Sequence, residues 1–266
     1  MGYHLNAAKF DRKVLTATRF YRNVPQFEVL FDVVIPSLMQ LHGSRRLRIA
    51  SMGCSTGCEP YSIAIEAARR GLQHELEIYG YDVDPKCIQD AKRGEYNQEV
   101  FSQTSPGGEM VVPPVILKKY FVPTRRWFRP YLRVKEEVRN AVHFDVLDVL
   151  KSPPSRLALF DIVLFQNILL HFSRDAADLA IENLKRFVSP SAYLFIGGSD
   201  LDWMESVDQR FGLIPITARL TEIHDAWLTR RYLYEIGDRS YLALEPYGAK
   251  LKFNMSRYCS VFKVYH

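Results

Sequence analysis

The run Gly53-Cys54-Ser55-Thr56-Gly57-Cys58-Glu59 is a loop of small residues opening onto a helix-forming stretch. Such a loop presents backbone N–H groups to a ligand at a helix N-terminus. Its spacing, GxxxGxE, is neither the dinucleotide GxGxxG nor a P-loop with its Lys-Ser/Thr, so a diphosphate is not its natural ligand. Twenty-three residues beyond Glu59, Asp82 closes an apolar stretch, where an acidic side chain can take both hydroxyls of a ribose. A glycine loop beginning at Gly53 and a strand-end acid together describe a site for a nucleoside cofactor. The Glu59 carboxylate adds a partner for a cationic group.

Two further chemistries arise nearby. Cys54, Cys58 and Cys87 with His143 invite zinc, but the C-x3-C spacing lies on the ligand loop and no paired C-x2-C follows, so no metal is expected. Cys58 stands where a helix N-terminus lowers a thiol pKa, although packing is the better account of it. His171 follows an apolar run, and its imidazole titrates in the range a general base needs; a purely structural histidine is the competing reading.

The elements that must hold these residues follow from the pattern of apolar runs. Leu47 to Gly53, Ile78 to Asp84, Ala141 to Asp148, Phe160 to Asn167 and Tyr193 to Gly198 read as buried strands. Glu59 to Gly71, Pro85 to Arg93 and Asp175 to Val188 read as helices, the last with Leu179, Leu184 and Phe187 on its apolar side. This alternation predicts an α/β fold with a doubly wound, mostly parallel sheet, whose ligands bind at the carboxyl ends of the strands. Phe211 to Ala218 and Ser260 to Tyr265 are expected to close the sheet as an antiparallel pair. The chain, residues 1–266, reads as a single domain with a helical N-terminal segment at 1–45 and an inserted basic subdomain at 95–140. A second insertion, 219–257, holds a hairpin around Gly237-Asp238 and the aromatic residues of a lid or pocket.

Composition narrows the class of protein. With 47% hydrophobic and 24% charged residues the chain has the makings of a core, and four cysteines do not make a disulfide scaffold. No secretory leader or membrane span is expected, and the cytoplasm is the expected compartment. The net charge of +5 is concentrated: residues 117–139 carry eight Lys and Arg against Glu136 and Glu137, leaving the remainder at −1. Within it RRWFRPYLR interleaves arginine with aromatic residues. A nucleic-acid groove normally makes a whole domain basic, so no nucleic acid is expected; an acidic acceptor or docking partner fits better.

S-adenosylmethionine has the ribose, the free amino group and the lack of phosphate that the glycine loop, Asp82 and Glu59 call for. MGCSTGCEPYSIAIEA followed by YGYDVDPKCIQDAKRGEY resembles the cofactor-binding core of the CheR-type methyltransferases, which methylate glutamates of bacterial chemoreceptors. TATRFYRNVPQFEVL resembles that family's Thr-x-Phe-Phe-Arg motif, and FDIVLFQNILLHF its Phe-Asp-x-Ile-x-Cys-Arg-Asn-Val-x-Ile-Tyr-Phe strand. The resemblance implies a class I methyltransferase, Rossmann-like fold with small inserted β elements, and S-adenosylmethionine as cofactor. It implies Thr18 and Arg22 near the reactive end of the cofactor, Glu59 on the amino group and Asp82 on the ribose. It further implies Asp148 and Val149 beside the adenine, and Gln166 and Asn167 along the methionine and the floor of the site.

Departures from the family pattern bear on the acceptor. Only about fifteen residues precede the first motif, where the family usually has a helical domain. Thr16 stands where the family often has Asn, Cys58 replaces the first Glu of Gly-Glu-Glu-Pro, Gln166 replaces Arg, and His171 replaces Tyr. Three functions therefore stand open: carboxylate methylation of an acidic acceptor oriented by Arg22, small-molecule O- or N-methylation with His171 as base, and a cofactor-binding module without turnover.

Overall fold

The structure, a computed structural model, describes residues 18–101, 112–126, 128–151, 159–197, 204, 206–223, 226 and 259–264. Its centre is a seven-stranded sheet of β1 (Leu47–Met52), β2 (Leu76–Asp82), β6 (Val142–Val146), β7 (Phe160–Gln166), β8 (Val188–Gly197), β9 (Leu213–Pro215) and β10 (Val261–Val264). The strand order is β6-β2-β1-β7-β8-β10-β9. The first five strands run parallel and β10 pairs antiparallel with both β8 and β9. β1 and β7 are buried along almost their whole length, which is why they read as continuous apolar runs rather than alternating ones. The chain leaves β1 toward β2 and β6, then crosses back to lay β7 on the other side of β1. The crevice at the carboxyl ends of β1 and β7 is thus a topological switch point, where open α/β sheets bind ligands.

The helix ahead of the sheet, α1 (Val24–His42), lies within the segment read as helical at 1–45 and is more apolar than the sequence reading allowed. Asn23 caps it by accepting from the Gln26 N–H. Its middle, Leu30–Val34, is a π turn in which the Ile35 N–H reaches the Leu30 carbonyl. Pro36 supplies the reason: it has no N–H for the Asp32 carbonyl, and the wider turn absorbs the ring. By length and composition alone α1 could cross a membrane. It lies instead along the core, with Leu30, Phe31, Val34, Ile35 and Leu38 fully buried.

α2 (Cys58–Arg69) follows the glycine loop, and α3 (Pro85–Arg93) is capped by Asp84 at its start and ended by Gly94 in the left-handed conformation. A small antiparallel sheet, β3-β5-β4, is inserted next, formed by β3 (Glu95–Tyr96), β4 (Phe121–Arg126) and β5 (Arg129–Val134). The short helices α4 (Pro114–Tyr120) and α5 (Glu136–Arg139) flank it, and α6 (Arg174–Lys185) joins β7 to β8.

Some boundaries differ from the sequence reading. α6 stops at Lys185 rather than Val188, because Pro190 disfavours helix in the residue before it and β8 begins at Val188. Leu179 is 49% exposed; the face of α6 turned to the core is made by Ala177, Ala180, Ile181 and Leu184, about 140° round the helix from Leu179 at the last of these. The antiparallel strand expected from Phe211 to Ala218 is present but shorter, as β9, because Phe211 still belongs to a helix, α7 (Val207–Phe211). Gly212, at positive φ, ends that helix and turns the chain into the strand. The hairpin around Gly237-Asp238 and most of the second insertion lie outside the described residues.

Candidate functional site

The loop after β1 is shaped by close approach as much as by turning. Gly53 has φ of +66°, and a Cβ there would sit 2.3 Å from Ile168 Cδ1. Gly57, at φ +88°, would place one 3.0 Å from both Ala91 Cβ and Phe144. Phe144 also lies on Gly80, where a Cβ would meet it at 2.6 Å. The β1–α2 loop is thereby wedged between the loop after β7 and the aromatic ring of β6.

Two carboxylates flank this loop. Asp82 Oδ2 accepts from the Ser55 N–H at 2.7 Å and its Oδ1 from the Asp84 N–H at 3.0 Å. Burial pushes its carboxyl above the usual range, and those N–H groups pull the other way. Each oxygen keeps acceptor capacity for a hydroxyl donor. Glu59, in the first turn of α2, accepts from Ser51 Oγ at 2.7 Å. Burial raises its carboxyl to about 7 despite the Ser51 hydroxyl and the positive charge of Arg22. A carboxylate so placed gains from any cation that enters.

The N-terminal segment is pinned across α2. The Tyr21 N–H donates to Ser62 Oγ, which itself donates to the Cys58 carbonyl at 2.7 Å. Phe20 is buried, stacked on Phe101 and edge-on to Tyr96 and Phe121, each ring centroid about 5 Å away. Those contacts bring Arg19 and Arg22 to a narrow recess of about 10 Å³ that they share with Asn23, Gln26, Glu59 and Gln166. That volume is about enough for one water molecule. Thr18 hydrogen-bonds the Cys58 thiol.

Past β7 the chain turns sharply. Asn167 has φ of +59°, its N–H donates to the Gly197 carbonyl at 2.7 Å, and its buried Oδ1 has no hydrogen-bond partner among the described residues. An orphaned acceptor on a left-handed residue is costly and marks a place where a donor belongs. His171 ends a short 3-10 turn, Leu169–His171. Burial, then the charge of Arg22, hold its imidazole below the ordinary value, so it is neutral at neutral pH. Asp148 accepts from the Leu150 N–H at 3.0 Å and meets Lys151 Nζ at 3.4 Å, while Val149 is buried with its carbonyl bonded by Asn183.

The structure thus gathers Arg22, Glu59 and Gln166 at one recess and sets Asp82, Gly53 and Asn167 along the same switch-point crevice. Asp148 and Val149 occupy the loop after β6, where Asp148 serves its own turn. Ser51 and Arg19 were missed in the sequence. A serine in the apolar strand LRIASM was the available signal for the first, and adjacency to Thr18 for the second. Cys58 is fully buried and burial raises its thiol to about 12, which fits packing and not nucleophilic attack. Among the described residues no group of three or more His, Cys, Asp or Glu side chains is placed to hold a metal. All four cysteines are free thiols.

The donor set fits a nucleoside that carries an ammonium group. Glu59 offers a recessed carboxylate, Asp82 two oriented acceptors, and Asn167 an unfilled one, and among the described residues no lysine lines the recess. Strand order and site together are those of a class I, Rossmann-like methyltransferase. The CheR methyltransferase, SAM binding domain family matches residues 16–220, and the chain belongs to that family. It is a methyltransferase that uses S-adenosylmethionine. It is 31% identical to chemotaxis protein methyltransferase 1 of Pseudomonas aeruginosa over 71% of this chain and 68% of that one. It is 30% identical to a probable biofilm formation methyltransferase, WspC, of Pseudomonas putida, over 79% of this chain but only 46% of that protein. A TehB-like SAM-dependent methyltransferase structure from Corynebacterium glutamicum superposes with a TM-score of 0.38 and 14% identity, covering 68% of this chain and 72% of that one. Family membership sets aside the reading of a module without turnover.

Proposed function

We propose that the protein methylates the carboxylate of an acidic acceptor, a protein glutamate being the group the family resemblance points to. The observation that carries this reading is the recess that Arg22 lines together with Glu59 and Gln166. S-adenosylmethionine, when bound, supplies an electrophilic methyl group. In this reading Glu59 takes the amino group of the cofactor and Asp82 its ribose hydroxyls. Asn167 and Gln166 border the methionine portion, Thr18 lies near the reactive end, Asp148 and Val149 near the adenine, and the loop from Gly53 supplies the close backbone surface. Arg22 orients the acceptor by a charge-assisted hydrogen bond. An ionised carboxylate needs alignment for in-line attack and no base.

The basic segment 117–139 gives the acceptor or its carrier a place to dock. On the small sheet a recess of about 440 Å³ is lined by Pro123, Thr124, Arg125, Tyr131 and Leu132 together with Gln98. A cytoplasmic enzyme with a single-domain catalytic core, the basic subdomain at 95–140 and a lid at 219–257 completes the reading.

A second reading rests on His171, whose neutral imidazole beside Arg22 suits a base for a hydroxyl or amine of a small molecule. Methyl transfer to acidic peptides and to small hydroxyl or amine acceptors, followed by mild alkali, separates the two. Methyl label on a peptide that alkali releases supports the ester; alkali-stable label confined to small molecules overturns it.

A further inference from the structure

The end of the β4–β5 hairpin breaks three local rules at once. Its base is anchored, with Phe121 and Val134 buried, whereas Arg125, Arg126, Phe128, Arg129 and Pro130 at its far end are all exposed. Phe128 is 100% exposed and sits at φ +65°, a conformation uncommon for an aromatic residue. Arg126 and Arg129 face each other directly in the last pair of the ladder, a like-charge pairing that weakens a hairpin. From Lys118 to Val134 the sequence holds no Asp or Glu. Among the described residues no salt bridge reaches Arg125, Arg126 or Arg129, whereas Arg133, nearer the base, lies 3.9 Å from Glu95.

An isolated hairpin end gains nothing from these features. They become favourable together against a surface that takes an aromatic ring without offering a shaped socket and supplies anionic groups around it. Interfacial anchors combine those two signals, apolar insertion and cationic attraction to anionic headgroups, because either alone binds weakly. Arginine suits the task, since its planar fork pairs with phosphate and remains charged at every relevant pH. A peptide would be served by the recess beside the hairpin, which runs from Pro123 and Leu132 up to Arg125 and Pro130, and Phe128 is not part of that lining.

We infer that the tip formed by Arg125, Arg126, Phe128 and Arg129 is a peripheral membrane hook, dipping Phe128 into the interface of an anionic bilayer while the arginines hold lipid phosphates. The hook goes beyond the acceptor reading and does not depend on it. It would keep the enzyme on a two-dimensional surface, raising its encounter rate with any acceptor held there.

The test is co-sedimentation of the full chain with vesicles of phosphatidylcholine alone and of phosphatidylcholine with phosphatidylglycerol, in the absence of cofactor and acceptor. The wild type is expected to bind only the anionic vesicles, with binding that weakens as salt is raised. Phe128→Ala should reduce that binding about tenfold, and Phe128→Trp should restore it. S-adenosylhomocysteine affinity should be unchanged in both variants, because the ring is fully exposed. Absence of binding to anionic vesicles by the wild type, or equal binding by Phe128→Ala, overturns the hook. Loss of transfer to the soluble acceptor in Phe128→Ala, with vesicle binding intact, also overturns it and makes the tip a protein contact. Failure of the acceptor reading would appear only in the transfer assay, so the two can fail separately.

Discussion

Ser51 and Glu59 are joined by a hydrogen bond of 2.7 Å from the serine Oγ to the carboxylate. It ties the last buried residues of β1 to the first turn of α2 across the glycine loop, so the loop is fixed at both ends before any ligand arrives. The serine is the only polar group donating to Glu59 among the described hydrogen bonds, which leaves the carboxylate under-solvated. A pre-formed, buried carboxylate is what a site for an ammonium group requires.

The proposed contact of Glu59 with the cofactor amino group predicts pH-dependent binding. Its carboxyl titrates near 7 in the free protein, and an ammonium partner favours the ionised form. Affinity for S-adenosylhomocysteine, measured by calorimetry, should rise with pH through about 7 and then level, with proton release at the lower end. An acid raised on folding adds stability that is whole below its unfolded pKa and lost as pH rises through the folded one. Glu59→Gln removes that loss: at about pH 8 the ligand-free variant should be more stable by ~1–3 kcal/mol while binding the cofactor at least about tenfold more weakly.

Asp82 has a structural duty as well as the proposed ribose contact, since it accepts from the N–H groups of Ser55 and Asp84. Asp82→Ala should cost ~1–3 kcal/mol of stability in urea unfolding, by leaving buried donors unpaired. Cofactor affinity should fall beyond what the lost stability explains, which calorimetry well below the unfolding midpoint would reveal.

His171 separates the two acceptor readings. For a carboxylate acceptor, His171→Phe should change kcat by less than about tenfold, because no proton has to be removed. A fall of ~100-fold or more, with the acidic limb of the pH–rate profile lost, would instead establish a general base.

Asp161 lies at the opposite end of β7 from the chemistry. It accepts two bonds from Arg45 at 2.8 and 2.9 Å, one from the Arg48 N–H at 2.9 Å and one from Ser189 Oγ at 2.8 Å. Burial pushes its carboxyl up, but those donors outweigh it and hold it below the usual range. The stability it contributes is present above its unfolded pKa and is lost as pH falls through the lower folded value. Asp161→Asn should therefore cost ~3 kcal/mol at neutral pH, with the deficit shrinking in acid, and leave cofactor affinity intact.

Charge reversal of Lys118, Lys119 and Arg133 tests acceptor docking apart from the hairpin tip. KM for an acidic peptide should rise severalfold and become less sensitive to salt, with cofactor affinity unchanged.

Much of this was legible in the residues. Strands buried on both faces announce themselves as apolar runs, and a glycine loop with acids at set distances announces a nucleoside site, because both depend on local geometry that a short stretch encodes. The +6 segment was visible as a run of arginines. That its hairpin becomes the edge of a three-stranded sheet depends on β3 pairing with β5 across intervening chain, and that Phe128 is bare at the tip depends on what packs there; no local pattern carries either.

By itself the sequence determined the doubly wound sheet, the cofactor class and the positions of Glu59 and Asp82. The tertiary structure alone decided that Arg22, Glu59 and Gln166 share one recess, since they come from three segments brought together by the crossover that lays β7 beside β1. It also decided the state of their charges. Burial moves Glu59 to about 7 and keeps His171 neutral, and burial is a property of everything packed around a group rather than of the residues beside it in the chain.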